Sequence, residues 1–145
     1  MKIRELLMTL WVLALFGIGA AQAATAVTVY KNPTCGCCEK YVDYLRKNGF
    51  AVGIVNTPDM NAIKKKYGMS HIASCHTALV NGYVVEGHVP VGAIRKMLRE
   101  KPSIIGISAP GMPLNSPSMG EMQKGTLAIY AVPEDGKEPY RFSVE

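Results

Sequence analysis

The sequence predicts a mixed α/β fold in which a small central sheet is flanked by helices. Short β-type runs alternate with helical patterns, and an Asn-Gly pair joins two such runs. The predicted order is strand, helix, strand, helix, hairpin and helix, which is two βα units followed by a ββα unit. The chain has 145 residues, which is sufficient for one domain with a single hydrophobic core.

Residues 1–23 are expected to be a secretory signal peptide, and residues 24–145 a single domain. Lys2 and Arg4 provide a basic start, residues 6–20 are apolar except for one threonine, and residues 21–23 read Ala-Gln-Ala, a small-residue cleavage site. A membrane-spanning helix needs about 20 apolar residues, so an uncleaved anchor is the weaker alternative. The expected location is the periplasm, after cleavage behind Ala23.

The first β-type run, residues 27–30, is expected to be a strand, and a helical pattern follows to about Lys47 with Gly49 as its cap. Between the strand and the helix lie three cysteines, Cys35, Cys37 and Cys38. They should therefore occupy the first helical turn, where free N–H groups and a partial positive charge stabilise thiolates. Thiolates are both nucleophiles and soft-metal ligands.

A second strand and helix are predicted next. Residues 50–55 are mostly apolar and indicate a buried strand. Thr57 is a suitable N-cap, Pro58 suits the first helical position, and Gly68 ends the helix. Lysines 64–66 have no interleaved aromatic residues, so we expect a solvated helix face and no nucleic-acid partner.

A hairpin and a third helix complete the predicted ββα unit. Residues 77–80 and 83–86 are β-type runs joined by Asn81-Gly82, which favours a type I′ turn. The third helix follows Pro90 and ends before Pro102.

The remaining chain is expected to form an extension of this domain. Residues 103–124, rich in proline and glycine, are expected to be an ordered loop because apolar residues recur in them. Residues 126–132 and 140–144 are expected to form a closing hairpin that extends the sheet or covers its edge. The whole order describes a thioredoxin-like fold, in which the loop entering the third strand packs beside the first helical turn. That loop carries Cys75, which should therefore lie next to the other three cysteines.

The cysteine spacing supports two chemistries. Cys35 and Cys38 form a C-x-x-C pair, as in thiol–disulfide redox sites, where they would be the catalytic thiols. A redox pair needs no third thiol, so the presence of Cys37 on the same helix turn favours a metal site. Clusters of thiolates bind Cu(I), zinc or iron–sulfur centres. Buried structural cysteines, or a disulfide that only staples the fold, are the third interpretation. Four cysteines allow three disulfide connectivities. Among the individual pairings, Cys35–Cys38 is the easiest to form.

Methionines and histidines supply further candidate ligands. Met112 and Met119 lie in a loop rich in proline and glycine, and thioether sulfur suits Cu(I) better than zinc. The alternative for both is core packing. His88 could be a ligand or a hydrogen-bond donor to one. His76 is a weaker candidate, because neighbours in a strand point to opposite faces. His71 is expected to be exposed or hydrogen-bonded.

Four motifs in fixed order resemble the CopG family of periplasmic copper-resistance proteins. They are Lys31-Asn32-Pro33-x-Cys35-Gly36-Cys37-Cys38, Ser74-Cys75-His76-Thr77, Glu86-Gly87-His88-Val89-Pro90, and Pro110-Gly111-Met112-Pro113 with Ser116-Pro117-x-Met119. The resemblance implies a thioredoxin-like fold and a copper site in copper tolerance. The implied ligands are Cys35, Cys37, Cys38, Cys75, His88, Met112 and Met119. Ser118 departs from the pattern, since a glycine is expected before Met119.

Two hypotheses follow for the function. The first is an exported Cu(I)-binding protein with one or more copper ions, acting in copper resistance. Its partners would be copper ions and other periplasmic copper-handling or thiol-redox proteins, with no membrane association after signal cleavage. The second is a thiol–disulfide or copper oxidoreductase that uses Cys35 and Cys38. No Ser-His-Asp arrangement, phosphate-binding glycine loop or paired-carboxylate pattern is recognisable in the sequence.

Overall fold

A computed structural model describes residues 23–145, which contain seven strands and three α-helices. The strands are β1 (Thr25–Lys31), β2 (Phe50–Asn56), β3 (Thr77–Val80), β4 (Tyr83–Glu86), β5 (Ile104–Ser108), β6 (Ala128–Pro133) and β7 (Tyr140–Val144). The helices are α1 (Gly36–Lys47), α2 (Met60–Lys66) and α3 (Val91–Glu100), with one 3-10 turn at Ser70–Ile72. The predicted thioredoxin-like α/β fold is confirmed. The predicted signal peptide lies outside the described residues, apart from Ala23.

All seven strands form one mixed sheet in the order β2-β1-β3-β4-β5-β6-β7. β1 runs parallel to β2 and antiparallel to β3, β3 runs antiparallel to β4, and β4 runs parallel to β5. One row of the register joins Tyr30 to Thr77, Thr77 to Glu86, and Glu86 to Ser108. The carboxyl ends of β1, β4 and β5 and the start of β3 therefore meet at one end of the sheet.

Two apolar clusters cover the two faces of the sheet. Val84 and Val85 are neighbours in β4 and point to opposite faces. Val85 belongs to the larger cluster, where α1 and α3 contribute buried residues that include Tyr41, Val42, Leu45, Ile94 and Met97. Val84 belongs to the smaller cluster, with Met69, Ile72 and Val132. The larger cluster fixes α1, and with it the cysteine-rich turn, on the sheet.

The predicted hairpin is confirmed, and its turn has the backbone that the Asn-Gly pair favours. Asn81 has φ 47° and Gly82 has φ 85°, as a type I′ turn requires. Within residues 23–145 no helix is long and apolar enough to cross a membrane.

The start of α2 differs from the prediction. Asp59, and not Thr57, is the N-cap, since its side chain accepts a hydrogen bond of 2.9 Å from the Ala62 N–H. The Thr57 hydroxyl accepts from the Asp59 N–H at 3.2 Å instead. A charged carboxylate at this end also interacts favourably with the helix dipole, which explains why the helix starts two residues later than expected.

The lysine run on α2 is only partly solvated, so the prediction was wrong for one residue. Lys65 and Lys66 are exposed, but Lys64 is 5% exposed and its ammonium group lies 2.5 Å from the Glu86 carboxylate. The sequence placed Lys64 in a basic run, whereas its environment is set by a carboxylate that lies 22 residues further along the chain.

The segment predicted as a loop contains a strand, β5, at its start. β5 pairs in parallel with β4 and antiparallel with β6, so it joins the closing hairpin to the rest of the sheet. Residues 109–127 are irregular, as expected. Gly106 makes the pairing possible, because a Cβ atom there would lie 1.9 Å from the Val84 carbonyl oxygen.

Substituting Gly106 with alanine is therefore expected to destabilise the protein severely. The added methyl group cannot avoid the backbone of β4 without separating the strands, so the free energy of unfolding should fall by more than about 2 kcal/mol. Urea unfolding measures this change. Gly53→Ala in β2 is the matched control, because its Cβ would lie 4.0 Å from the nearest atom, the Val27 carbonyl oxygen. Equal effects of the two substitutions would contradict the close approach at Gly106.

Candidate metal centre

Four cysteine sulfurs converge at the end of the sheet where β1 ends and β3 begins. Cys35 is the N-cap of α1, and Cys37 and Cys38 lie in its first turn, as predicted. Cys75 lies in a bend two residues before β3. The sulfur atoms of all four cysteines are within 4.8 Å of one another. The sheet register therefore brings together two segments that are far apart in the sequence.

The structure contains the oxidised form of the C-x-x-C pair. Cys35 and Cys38 form a disulfide, whereas Cys37 and Cys75 are free. The sulfur of Cys37 lies 3.5 Å from that of Cys35. Reduction of this disulfide would release two more thiols, giving four sulfur ligands at one place, so the redox state of the pair controls how many ligands are available.

His88, which follows β4, is held with one nitrogen facing Cys75. Its Nδ1 lies 2.8 Å from the Pro117 carbonyl oxygen. A carbonyl only accepts hydrogen bonds, so Nδ1 carries the proton and Nε2 has a free electron pair. Nε2 lies 3.0 Å from the Cys75 sulfur. This is the arrangement of a histidine ligand, whose second nitrogen donates to a backbone carbonyl.

His76 also reaches Cys75, which differs from the alternation expected for a strand. Its Nδ1 lies 3.2 Å from the Cys75 sulfur, because Cys75 is in a bend and the two side chains are not forced to opposite sides. Cys75, His76 and His88 thus form a second group of possible metal ligands. Nε2 of His76 is buried and has no hydrogen-bond partner among the described residues. With the Cys75 thiol donating to His88, His76 Nδ1 can donate to the same sulfur.

Burial sets the protonation of these groups in the absence of metal. Desolvation, followed by the proximity of Cys37, raises the pKa of Cys75 to about 12, so this thiol is protonated at neutral pH. Desolvation lowers the pKa of His88 and lowers that of His76 well below its usual value. Both imidazoles are therefore neutral and able to bind a metal, which would displace the proton of Cys75 on binding.

Tyr41, on α1, packs against both imidazoles. Its ring centroid lies 4.5 Å from that of His76 and 5.2 Å from that of His88. Its hydroxyl donates a 2.7 Å hydrogen bond to the Val89 carbonyl oxygen, and desolvation raises its pKa well above the usual value. Tyr41 is thus a neutral, fully buried wall that limits how the two histidines can rotate.

The loop that carries the two candidate methionines is anchored beside the cysteines. The Gly111 N–H donates a 3.1 Å hydrogen bond to the Ala73 carbonyl oxygen. Met112, the next residue, is 58% exposed, and Met119 is half-buried. Ser118 has φ 67°, so it adopts the left-handed conformation that suits the glycine implied by the resemblance. The ligand roles of Met112 and Met119 stay predictions. His71 is exposed.

Comparisons with known proteins identify the family. Residues 72–119 match a family model described as "Protein of unknown function, DUF411". A search of curated proteins gave no match. Two solved structures described as copper resistance protein CopG, form 2 and form 1, are each 33% identical, with TM-scores of 0.76 and 0.75. In each comparison the match covers 84% of this chain and 98% of the other. Because identity of this level extends over almost the whole of those proteins, the chain belongs to the CopG family.

Proposed function

We propose that this protein binds Cu(I) through Cys35, Cys37, Cys38 and Cys75 and acts in copper resistance. The observation that carries the proposal is the convergence of four sulfur atoms within 4.8 Å. Thiolate sulfur is the ligand type that Cu(I) prefers. The similarity to two solved structures of the copper resistance protein CopG supports copper as the metal.

The chain offers further donors around this sulfur cluster. His88 presents an unprotonated Nε2 next to Cys75, and we propose it as a fifth ligand. We propose Met112 and Met119 as thioether ligands, because their loop is attached to Ala73 and, through the Ser74 hydroxyl and the Gly111 carbonyl, to the segment before Cys75. Thiolates alone accept zinc as well, so the methionines and the family favour copper.

We also propose that the protein acts in the periplasm. The support is the amino-terminal pattern of a basic start, an apolar run and an Ala-Gln-Ala site. An oxidising compartment favours the Cys35–Cys38 disulfide. Copper loading there requires a reductant or a thiol-redox partner, or arrival of the copper while the cysteines are still reduced. Other copper-handling proteins are the partners that we propose for release of the metal.

An anaerobic Cu(I) titration against a competing chelator tests this proposal. Protein purified from cells that express the full chain, and then reduced, is expected to take up more than one Cu(I) per chain. The reason is that four thiolates can bridge several Cu(I) ions. The disulfide form is expected to bind fewer ions, because two of its sulfurs are bonded to each other. Uptake that is weak, or equal in the two redox forms, would overturn the proposal.

A second candidate function is supported by the disulfide at the start of α1. Cys35 and Cys38 could exchange electrons with a substrate disulfide, in which case two protein thiols become the protein disulfide and the substrate gains two thiols. This activity requires Cys35 and Cys38 but not Cys37. A disulfide-reduction assay on Cys37→Ser and Cys35→Ser therefore separates it from copper binding, in which Cys37 is a ligand as well as Cys35 and Cys38.

A further inference from the structure

Glu86 is a fully buried carboxylate whose hydrogen bonds enclose the bend that carries Cys75. One oxygen, Oε1, accepts a hydrogen bond of 2.7 Å from the backbone N–H of Ser74. The other, Oε2, accepts a hydrogen bond of 2.6 Å from the hydroxyl of Thr77. Ser74 immediately precedes Cys75, and Thr77 follows the Cys75-His76 dipeptide. A single side chain thus holds both ends of this dipeptide.

β pairing supports this bend only in part, since an isolated bridge pairs Ser74 with Gly111 at its start. Pairing between β1 and β3 begins at Thr77, so residues 75 and 76 lie outside that ladder. The His76 carbonyl oxygen accepts one backbone hydrogen bond from the Gly87 N–H, at 2.9 Å. Without the carboxylate, the Ser74 N–H would lose the acceptor that fixes where the chain turns into the bend.

Lys64 places a positive charge beside the buried Glu86 carboxylate and forms an ion pair with it. Its Nζ lies 2.5 Å from Glu86 Oε1 and 3.3 Å from the Thr77 hydroxyl oxygen. Lys64 is 5% exposed and Glu86 is 0% exposed. A buried ion pair adds little net stability compared with apolar residues of the same volume, whereas its directed hydrogen bonds impose a defined geometry. The presence of this buried ion pair is therefore better explained by its role in fixing the position of the bend than by a contribution to stability alone.

We propose that Glu86, neutralised by Lys64, is a positioning residue that presents Cys75 to the three cysteines of α1. It acts through Ser74 and Thr77 and does not itself bind metal. The inference rests on the proposed function, in which Cys75 is the fourth sulfur ligand.

The first test is the coupling between Glu86 and Cys75 in Cu(I) binding by the reduced protein. Glu86→Gln is expected to lower Cu(I) affinity about tenfold or more. The amide has one oxygen, so it cannot accept hydrogen bonds from both the Ser74 N–H and the Thr77 hydroxyl, and it leaves the Lys64 ammonium without a counter-charge. In a Cys75→Ser background the same substitution is expected to change the affinity less than about twofold. Glu86→Gln with unchanged affinity, or with an equal loss in both backgrounds, would overturn the inference.

Two further variants keep this test independent of a general loss of stability. Ile129→Ala removes a buried side chain of the larger apolar cluster in β6, and it should weaken the fold without changing Cu(I) affinity. Thr77→Val removes the hydroxyl that donates to Glu86 Oε2 and accepts from Lys64 but keeps the carboxylate and its bond to Ser74. It should therefore lower the affinity in the same direction but less, and it serves if Glu86→Gln does not fold. Equal losses of Cu(I) affinity in Ile129→Ala and Glu86→Gln would contradict a positioning role.

A metal-free measurement distinguishes failure of this inference from failure of the proposed function. In a Cys35→Ser, Cys38→Ser protein, only Cys37 and Cys75 remain, and a glutathione buffer sets their equilibrium. Oxidised glutathione converts the two thiols to a disulfide and becomes two molecules of reduced glutathione. Glu86→Gln is expected to lower the effective concentration of these thiols about tenfold, and Ile129→Ala to leave it unchanged. No change in Glu86→Gln would overturn the inference, whether or not the protein binds copper.

Discussion

Replacing Cys37 with serine is expected to lower the Cu(I) affinity of the reduced protein by about 100-fold, or 2.7 kcal/mol. Cys37 is a free thiol whose sulfur lies 3.5 Å from that of Cys35 and within 4.8 Å of the other two. A hydroxyl group is a hard oxygen donor and a poor ligand for Cu(I). The Cys35–Cys38 disulfide should still form, because neither of its two cysteines is replaced.

The comparison with Cys35→Ser makes this result decisive between the two candidate functions. Cys35→Ser should lower Cu(I) affinity and also abolish any dithiol activity, whereas Cys37→Ser should lower only the former. A chelator competition titration and a disulfide-reduction assay on both variants provide the two readouts. Copper affinity that is retained in Cys37→Ser would favour the redox function and would contradict a ligand role for this cysteine.

The parts of the fold that sequence predicted well are those set by neighbouring residues. The Asn81-Gly82 turn is an example, because its backbone depends on two residues that tolerate positive φ. β5 was not recognised, because an isoleucine-rich run beside glycine becomes a strand only where β4 and β6 provide partners. The boundary of the loop was therefore a long-range property, and local composition could not show it.

The candidate site shows the same division between local and long-range information. The first-turn position of Cys37 and Cys38 followed from local patterns, and the place of Cys75 followed from the expected topology. The burial of Lys64 did not follow, since a lysine in a basic run is normally solvated and only its pairing with Glu86 changes this. His76 was only a weaker candidate from the sequence, because its contact with Cys75 depends on the bend.

Binding of Cu(I) to the reduced protein is expected to raise its melting temperature by about 10–20 °C, and this gain should depend on Cys75. At free copper about 1,000 times Kd, binding to the folded state alone stabilises it by about 4 kcal/mol, which corresponds to that shift for a domain of this size. Differential scanning calorimetry with and without buffered Cu(I) measures it. Removal of the copper by a chelator should reverse the shift.

The dependence on Cys75 follows from where the ligands lie in the chain. Cys35, Cys37 and Cys38 are within four residues, so an unfolded chain can bind copper with all three, and such binding stabilises the unfolded state as well. Cys75 comes 37 residues after Cys38 and reaches the others only in the folded protein, so its bond to copper favours folding. Cys75→Ser should therefore reduce the rise in melting temperature to a few degrees, about a quarter of that in the unaltered protein. His71→Ala, at an exposed position, is the control and should keep the full rise, whereas an undiminished rise in Cys75→Ser would show that copper is held by the helix turn alone.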